Sequence, residues 1–172
     1  MNEKKISPRV LESIPKIKLL LMDCDGVLTD GKLYFSKDGE ELKVFHVHDG
    51  QGIVNWHKAG FLTGIITGRK SDILKRRVEE LGIHYLIQNS KDKTKDFKEI
   101  LAVSGVSADE VAYVGDDLAD LELLKLVKLP IAVANCAEEL KASVLHITNK
   151  NGGMGAIREV TDLLLKKNTK KS

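Results

Sequence analysis

The sequence predicts an α/β fold, a three-layer sandwich with a central parallel sheet, and three observations predict it. Short apolar runs alternate along the chain with segments of helical period. That alternation implies parallel βαβ units, with helices covering both faces of an open, Rossmann-like sheet. Several apolar runs also end in acidic, hydroxyl or glycine residues, and in such sheets ligands bind outside the carboxyl ends of the strands.

The elements follow in order. Ile17 to Met22 is an apolar run that stops at Asp23-Cys24-Asp25-Gly26, which predicts a buried strand and then a loop. Lys32 to Phe35 and Leu42 to Val47 alternate loosely around Lys37-Asp38-Gly39-Glu40. Asp-Gly between two such runs predicts a small β-hairpin insertion over about 31–47. Gly52 to Lys58 reads as a helix ending at Gly60, and Leu62 to Thr67 as a strand. Ser71 to Leu81 sets Ile73, Leu74, Val78 and Leu81 on one helical face, and Gly82 ends it. The remaining expectations are strands at Tyr85–Ile87, Val111–Val114, Ile131–Val133 and Leu145–Ile147. Helices are expected over Thr94–Val103, Asp120–Leu126, Ala137–Ala142 and Ala156–Leu165.

The 172 residues suit a single domain over 1–172 with a real hydrophobic core. An apolar fraction of 42% and a charged fraction of 30% are ordinary for a soluble globular protein. No apolar run reaches the roughly 18 residues of a membrane helix, so no membrane association is expected. The charged N-terminus lacks the apolar stretch of a secretory signal. Two cysteines, Cys24 and Cys136, make no disulfide framework and fit a reducing, cytoplasmic setting. A net charge of +2 gives no support for nucleic acid as a partner. Part of that charge sits in a basic tail, about 166–172, expected to be flexible and solvated.

The chemistry collects at the predicted strand ends. Asp23 and Asp25 stand two apart after the first strand, so both can point into one crevice. One carboxylate can attack a phosphorus atom, and the other can protonate the leaving oxygen and then activate water. Close carboxylates repel each other and call for a cation. An oxygen-only ligand set suits Mg²⁺. An isolated Asp-x-Asp is more often a solvated turn, so the weight comes from its companions. Thr67-Gly68-Arg69 ends the next sheet strand with a hydroxyl and backbone N–H groups able to bind phosphoryl oxygens. Lys93 opens a later helix, where its ammonium can neutralise the same phosphate. Gly115-Asp116-Asp117-Leu118-Ala119-Asp120 follows a further strand and offers more acid groups for a metal. Each feature has an ordinary structural explanation on its own; the whole ordered set does not arise easily by chance.

This combination resembles the haloacid dehalogenase superfamily over about residues 17–160. The resemblance implies an HAD-like fold, with Asp23 as nucleophile and Asp25 as acid/base. It implies Thr67 and Lys93 as phosphate ligands, and Mg²⁺ held by Asp23, the main-chain oxygen of Asp25 and Asp116. Asp120 would support the site rather than coordinate, and Asp117 is left without a role. Only residues 26–66 separate Asp25 from Thr67, and the hairpin and one helix use most of them, so no cap domain is expected. A capless site takes either a large substrate or a lid from a neighbouring subunit.

His48-Asp49-Gly50-Gln51-Gly52, Arg69, Arg77 and Asn151-Gly152-Gly153-Met154-Gly155 favour the second option. With them the chain is similar to a narrower family, the 3-deoxy-D-manno-octulosonate 8-phosphate phosphatases. Members are capless homotetramers of bacterial lipopolysaccharide synthesis, assembled through their hairpins, with shared active sites. This resemblance implies a sugar-acid phosphate as substrate, and Asp25, Asp49, Gly50, Arg69, Arg77 and Lys93 as its contacts. Val54 departs from the family, standing where some members carry arginine. Two rivals stand beside this reading: a phosphatase for a nine-carbon sugar-acid phosphate, and a non-catalytic sugar-phosphate-binding or tetramerising module.

Weaker signals point elsewhere and carry less. His46 and His48 would share a strand face, but two histidines without a third ligand read as a polar face rather than a metal pair. Thiol-phosphatase chemistry needs an arginine closing a short loop after the cysteine, and Asp30 and Ala142 stand there instead. No phosphate-cradling glycine motif for nucleotides occurs. Trp56 reads as core.

Overall fold

The computed structural model describes residues 6–37 and 41–168. Six parallel strands form the sheet: β1 (Leu19–Met22), β4 (Leu62–Ile66), β5 (Tyr85–Ile87), β6 (Val111–Gly115), β7 (Leu129–Ala132) and β8 (His146–Ile147). Their order is β5-β4-β1-β6-β7-β8. From β1 the chain builds outward to one edge, then returns and builds to the other, so β1 is the switch point where such sheets bind ligands.

β1 is fully buried between β4 and β6, which is why it reads as an unbroken apolar run. Its register sets Met22 opposite Ile65 and Val114. Asp23, Thr67 and Asp116 therefore emerge together at one rim.

Helices cover both faces: α1 (Pro8–Ser13), α2 (Val47–Lys58), α3 (Asp72–Leu81), α4 (Lys93–Ser104), α5 (Leu121–Leu124) and α6 (Ala156–Asn168). Ser71 caps α3 by accepting from the Leu74 N–H, and Gly82 ends it in the left-handed region at φ +66°. α2 and α6 pack with their backbones close together. A Cβ at Gly52 would lie 2.4 Å from Thr161 Oγ1 and 3.0 Å from Arg158 Cα, so only glycine admits this contact.

Several elements differ from expectation. The hairpin strands are shorter, β2 (Tyr34–Phe35) against β3 (Glu41–Leu42), and the Asp38-Gly39-Glu40 turn lies outside the described residues. α2 begins at Val47, well before Gly52, because His46 caps it and Asp49 ties its first turn to α6. His46 and His48 therefore share no strand face: one is an N-cap and the other lies in the first helical turn. The expected Asp120–Leu126 helix is a 3₁₀ turn, Leu118–Asp120, followed by α5. The expected Ala137–Ala142 helix is a 3₁₀ run over Glu138–Ser143. α6 continues into the basic tail as far as Asn168, and residues 169–172 lie outside the described residues. α1 and the following 3₁₀ turn, Ile14–Lys16, are additions whose Val10 and Ile14 are fully buried.

Between Asp25 and Thr67 the described residues form the hairpin, α2 and β4; between Thr67 and Lys93 they form α3 and β5. No cap domain is present among them.

Candidate active site

Asp23 leaves β1 with its main-chain N–H bonded to Val114 O across the sheet. Its Oδ1 accepts the Cys24 N–H at 2.6 Å, and its Oδ2 lies 3.0 Å from Lys93 Nζ. Lys93 reaches this point from the first turn of α4. Its ammonium is shared with Asp120 Oδ1 at 2.6 Å and also donates to the Tyr113 hydroxyl at 3.3 Å.

Asp120 is completely buried, and all its capacity is used. Oδ1 takes the Lys93 ammonium and the Tyr113 hydroxyl at 2.5 Å; Oδ2 takes the N–H groups of Asp116 and Asp117 at 3.0 and 3.4 Å. This carboxylate organises the rim. It aims the lysine, pins the loop after β6 and holds Tyr113, whose hydroxyl burial pushes well above its usual pKa. A Cβ at Gly115 would lie 2.5 Å from Asp120 Oδ2, so the fold leaves that space to the carboxylate.

Asp116 sits opposite Asp23. Burial, then repulsion from Asp120 and Asp23, pushes its carboxyl up to about 7. Burial pushes Asp23 up to about 6, with Lys93 opposing and Asp120 assisting. Burial draws the Lys93 ammonium down, but Asp23 and Asp120 outweigh it, so its pKa ends above the ordinary value. Lys93 is thus a firm cation divided between two acids, and it leaves Asp116 uncompensated.

That imbalance fits a divalent cation. Oxygens of Asp23, Asp116 and Asp120 lie within 4.8 Å of one another. Because Asp120 is saturated by four donors, the available carboxylates are Asp23 and Asp116. The loop carrying Asp25 closes on Asp116 so tightly that a Cβ at Gly26 would lie 1.9 Å from Asp116 Oδ2. Gly26 is also held at φ +91°, which only glycine tolerates easily. The donors are all oxygen, as Mg²⁺ prefers.

Thr67 is buried at the end of β4, where its hydroxyl accepts the Arg69 N–H at 3.5 Å. Ser90 N–H bonds to Thr67 O and ties the loop after β5 to this corner. Arg69 lies over the Phe35 ring at 6.0 Å, with Nε 3.8 Å from Asp25 Oδ2. Asp25 Oδ1 is paired with Lys43 Nζ. Asp23, Asp25, Thr67, Arg69, Lys93 and Asp116 therefore gather at one rim.

Three expected substrate contacts have other partners. Asp49 is buried, with Oδ1 accepting the Arg158 N–H at 2.7 Å and Oδ2 the Gly155 N–H at 3.3 Å; its carboxylate caps α6. Gly50 makes room for Arg77, whose Nη2 would lie 2.4 Å from a Cβ there. Arg77 lies over Phe45 at 5.7 Å and pairs with Glu80 at 2.9 Å. Asp117 caps the 3₁₀ turn through Leu118 N–H at 2.7 Å and faces solvent.

Sequence reasoning missed Lys43 and Tyr113. Tyr113 had a visible signal, a polar tip inside an apolar strand. Lys43 had a subtler one. Leu42 and Val44 point outward while Lys43 and Phe45 point in, the reverse of the usual alternation.

Comparison with known proteins agrees with this geometry. A family model for haloacid dehalogenase-like hydrolases matches residues 80–160. A 3-deoxy-D-manno-octulosonate 8-phosphate phosphatase from Salmonella typhimurium is 42% identical, covering 93% of this chain and 85% of its own. The structure of the Yersinia pestis phosphatase of the same name superposes with a TM-score of 0.93 at 40% identity, over 95% of this chain and 88% of that one. The Moraxella catarrhalis phosphatase, solved with magnesium, phosphate and the sugar acid, gives 0.91 at 39% identity over 93% and 92%.

Proposed function

The chain belongs to the haloacid dehalogenase-like hydrolases, in the family of 3-deoxy-D-manno-octulosonate 8-phosphate phosphatases, and from that premise we propose that it hydrolyses this sugar-acid phosphate to the free sugar acid and phosphate. The observation that carries the reading is the pairing of Asp23 with Lys93 at the end of the switch-point strand, with Asp116 across from it. A non-catalytic descendant has no need to retain this set.

Asp23 Oδ2 attacks phosphorus while the bond from phosphorus to the sugar oxygen breaks, its electron pair leaving on that oxygen. Asp25 supplies the proton that the oxygen takes up. Water then attacks phosphorus, giving its proton to Asp25. The bond from phosphorus to Asp23 breaks, which releases phosphate and restores the Asp23 carboxylate and the protonated Asp25. Lys93 holds the Asp23 carboxylate and faces the transferring phosphoryl oxygens, with the Thr67 hydroxyl as their second ligand. Asp23, the main-chain oxygen of Asp25 and Asp116 would hold Mg²⁺, which neutralises charge between nucleophile and phosphoryl group. Arg69 and Arg77 supply cations for the sugar-acid carboxylate. Gly50 serves by admitting Arg77 to its position, and Asp49 by seating the first turn of α2.

The protein works as a homotetramer with shared sites. Leu33, Phe35, Leu42 and Val44 of the hairpin are 48–62% exposed, an apolar surface that a second copy would cover. Its setting is the cytoplasm, in lipopolysaccharide synthesis. Among the described residues no helix is long and apolar enough to cross a membrane.

The test is phosphate release with Mg²⁺ across a panel of phosphate monoesters. The eight-carbon sugar-acid phosphate should give the highest kcat/KM. A higher value for the nine-carbon acid would transfer the assignment to it, and equal values across the panel would mark a general phosphatase.

A further inference from the structure

The arm of the hairpin that leads into α2 carries its side chains the wrong way round for a water-soluble strand. Leu42 and Val44 are each 62% exposed, whereas the Lys43 side chain between them is 4% exposed. Burying an ammonium is costly unless it is paired. Here Lys43 Nζ forms an ion pair with Asp25 Oδ1. The backbone around Asp25 is fixed separately, by the Thr29 hydroxyl accepting the N–H groups of Gly26 and Gly31 at 3.3 Å. What remains to be set is the direction of the carboxylate itself.

The two oxygens of Asp25 are unlike. Oδ1 belongs to Lys43. Oδ2 is buried and accepts no hydrogen bond among the described residues, with Arg69 Nε 3.8 Å away. A proton carrier needs one oxygen free to exchange and a fixed direction in which to do so. Arg69 Nε is 3.8 Å from Oδ2 and its side chain is 41% exposed, so it holds the carboxylate less firmly than the buried lysine does.

We propose that Lys43 is a positioning residue for the reaction: it holds Oδ1 of Asp25 so that Oδ2 is the oxygen that exchanges protons with the leaving group and with water. The inference rests on the reading of Asp25 as general acid/base. It also explains why the lysine comes from the hairpin. Covering Leu42 and Val44 by a second copy would hold in place the same arm that seats Lys43, linking assembly to proton transfer.

The experiment compares kcat/KM, which reports steps through departure of the leaving group, for the sugar-acid phosphate and for p-nitrophenyl phosphate. A sugar alkoxide needs a proton to leave, and a nitrophenolate does not. Lys43→Met should lower kcat/KM about 100-fold on the sugar ester and no more than about 10-fold on the aryl ester. Lys43→Gln should show the same selective loss and decides the matter if Lys43→Met does not fold, whereas Lys43→Arg, which keeps the cation, should keep the ratio of the two esters near that of the wild type. Equal losses on both esters in Lys43→Met or Lys43→Gln would overturn the proposal, since a merely structural lysine affects both alike, and so would a Lys43→Arg ratio shifted as far as that of the neutral variants. Asp25→Asn separates the two readings. Selectivity there without selectivity in the Lys43 variants removes only the positioning role; no selectivity in Asp25→Asn removes the acid/base assignment itself.

Discussion

Two regions meet at Asp25, and they are built on different principles. On one side stands the rim of the sheet, where Asp23, Lys93, Tyr113, Asp116 and Asp120 are fixed by strand ends and a closed hydrogen-bond network. On the other stands the hairpin arm, where Lys43 reaches the same carboxylate from an insertion whose apolar side faces outward, and where Phe35 lies under Arg69 of the loop after β4. The rim side chains are joined to one another entirely within one chain. The arm presents Leu42 and Val44 to solvent, and in the proposed assembly a second copy covers them. On the proposed reading, the rim keeps the phosphoryl-transfer chemistry of the superfamily, and the arm is where assembly would bear on the choice of substrate.

The largest effect should come from breaking the rim. Lys93→Met leaves Asp23 and Asp120 buried without their cation, a loss of about 3–5 kcal/mol for one partner of a buried pair. In a chain of this size that lowers the thermal midpoint by roughly 6–20 °C. Activity should fall about 1,000-fold or more, because nucleophile and phosphoryl group lose the same charge. Thermal melts and kcat on one preparation check both. A variant as stable as the wild type would mean that the network is not as closed as its geometry indicates.

Breaking the arm should do less and do it differently. Leu42→Asp combined with Val44→Asp should leave the fold intact, since both side chains are exposed, and weaken self-association roughly 10–100-fold per interface. Native mass or light scattering reads the assembly. kcat/KM for the sugar-acid phosphate should fall with it. Full activity in a strictly monomeric variant would end the shared-site reading while leaving the rim untouched.

The smallest effect lies at the opposite end of the sheet and serves as a control for both. His57 bonds to the Thr63 hydroxyl at 2.6 Å, next to His84. Burial, aided by the charge of His84, lowers its pKa. Between that lowered value and the ordinary value of about 6.5, the unfolded chain binds more protons than the folded one. Stability is therefore full above the ordinary value and declines as pH falls through the window. His57→Gln should flatten this part of the stability profile in denaturant titrations and leave turnover alone. An unchanged slope would show that the imidazole titrates alike in both states.

The same contrast explains what was legible in the sequence. The rim was readable at Asp23, Thr67 and Asp116 because each closely follows an apolar run and a parallel sheet delivers all strand ends to one edge, whereas Tyr113 lies inside its run and was missed there. Asp120 reads as a supporting acid only through the resemblance to the superfamily, and its union with Tyr113 and Lys93 is a matter of packing. The arm was not readable. Alternation normally places apolar side chains inward, so Leu42 and Val44 mask Lys43. The glycines at 50 and 52 likewise hid the start of α2, because they serve contacts with Arg77 and α6 rather than a turn. Asp49 looked like a ligand for substrate; its carboxylate faces the α6 amides, a pairing across more than half the chain that no local pattern reveals.

Trapping the covalent state tests the central assignment most directly. With Mg²⁺ and the sugar-acid phosphate, rapidly quenched enzyme treated with borohydride should contain homoserine at position 23, the reduction product of an aspartyl-phosphate, and the Asp23→Asn protein should release no phosphate. Homoserine at any other position, or phosphate release undiminished in Asp23→Asn, would contradict it.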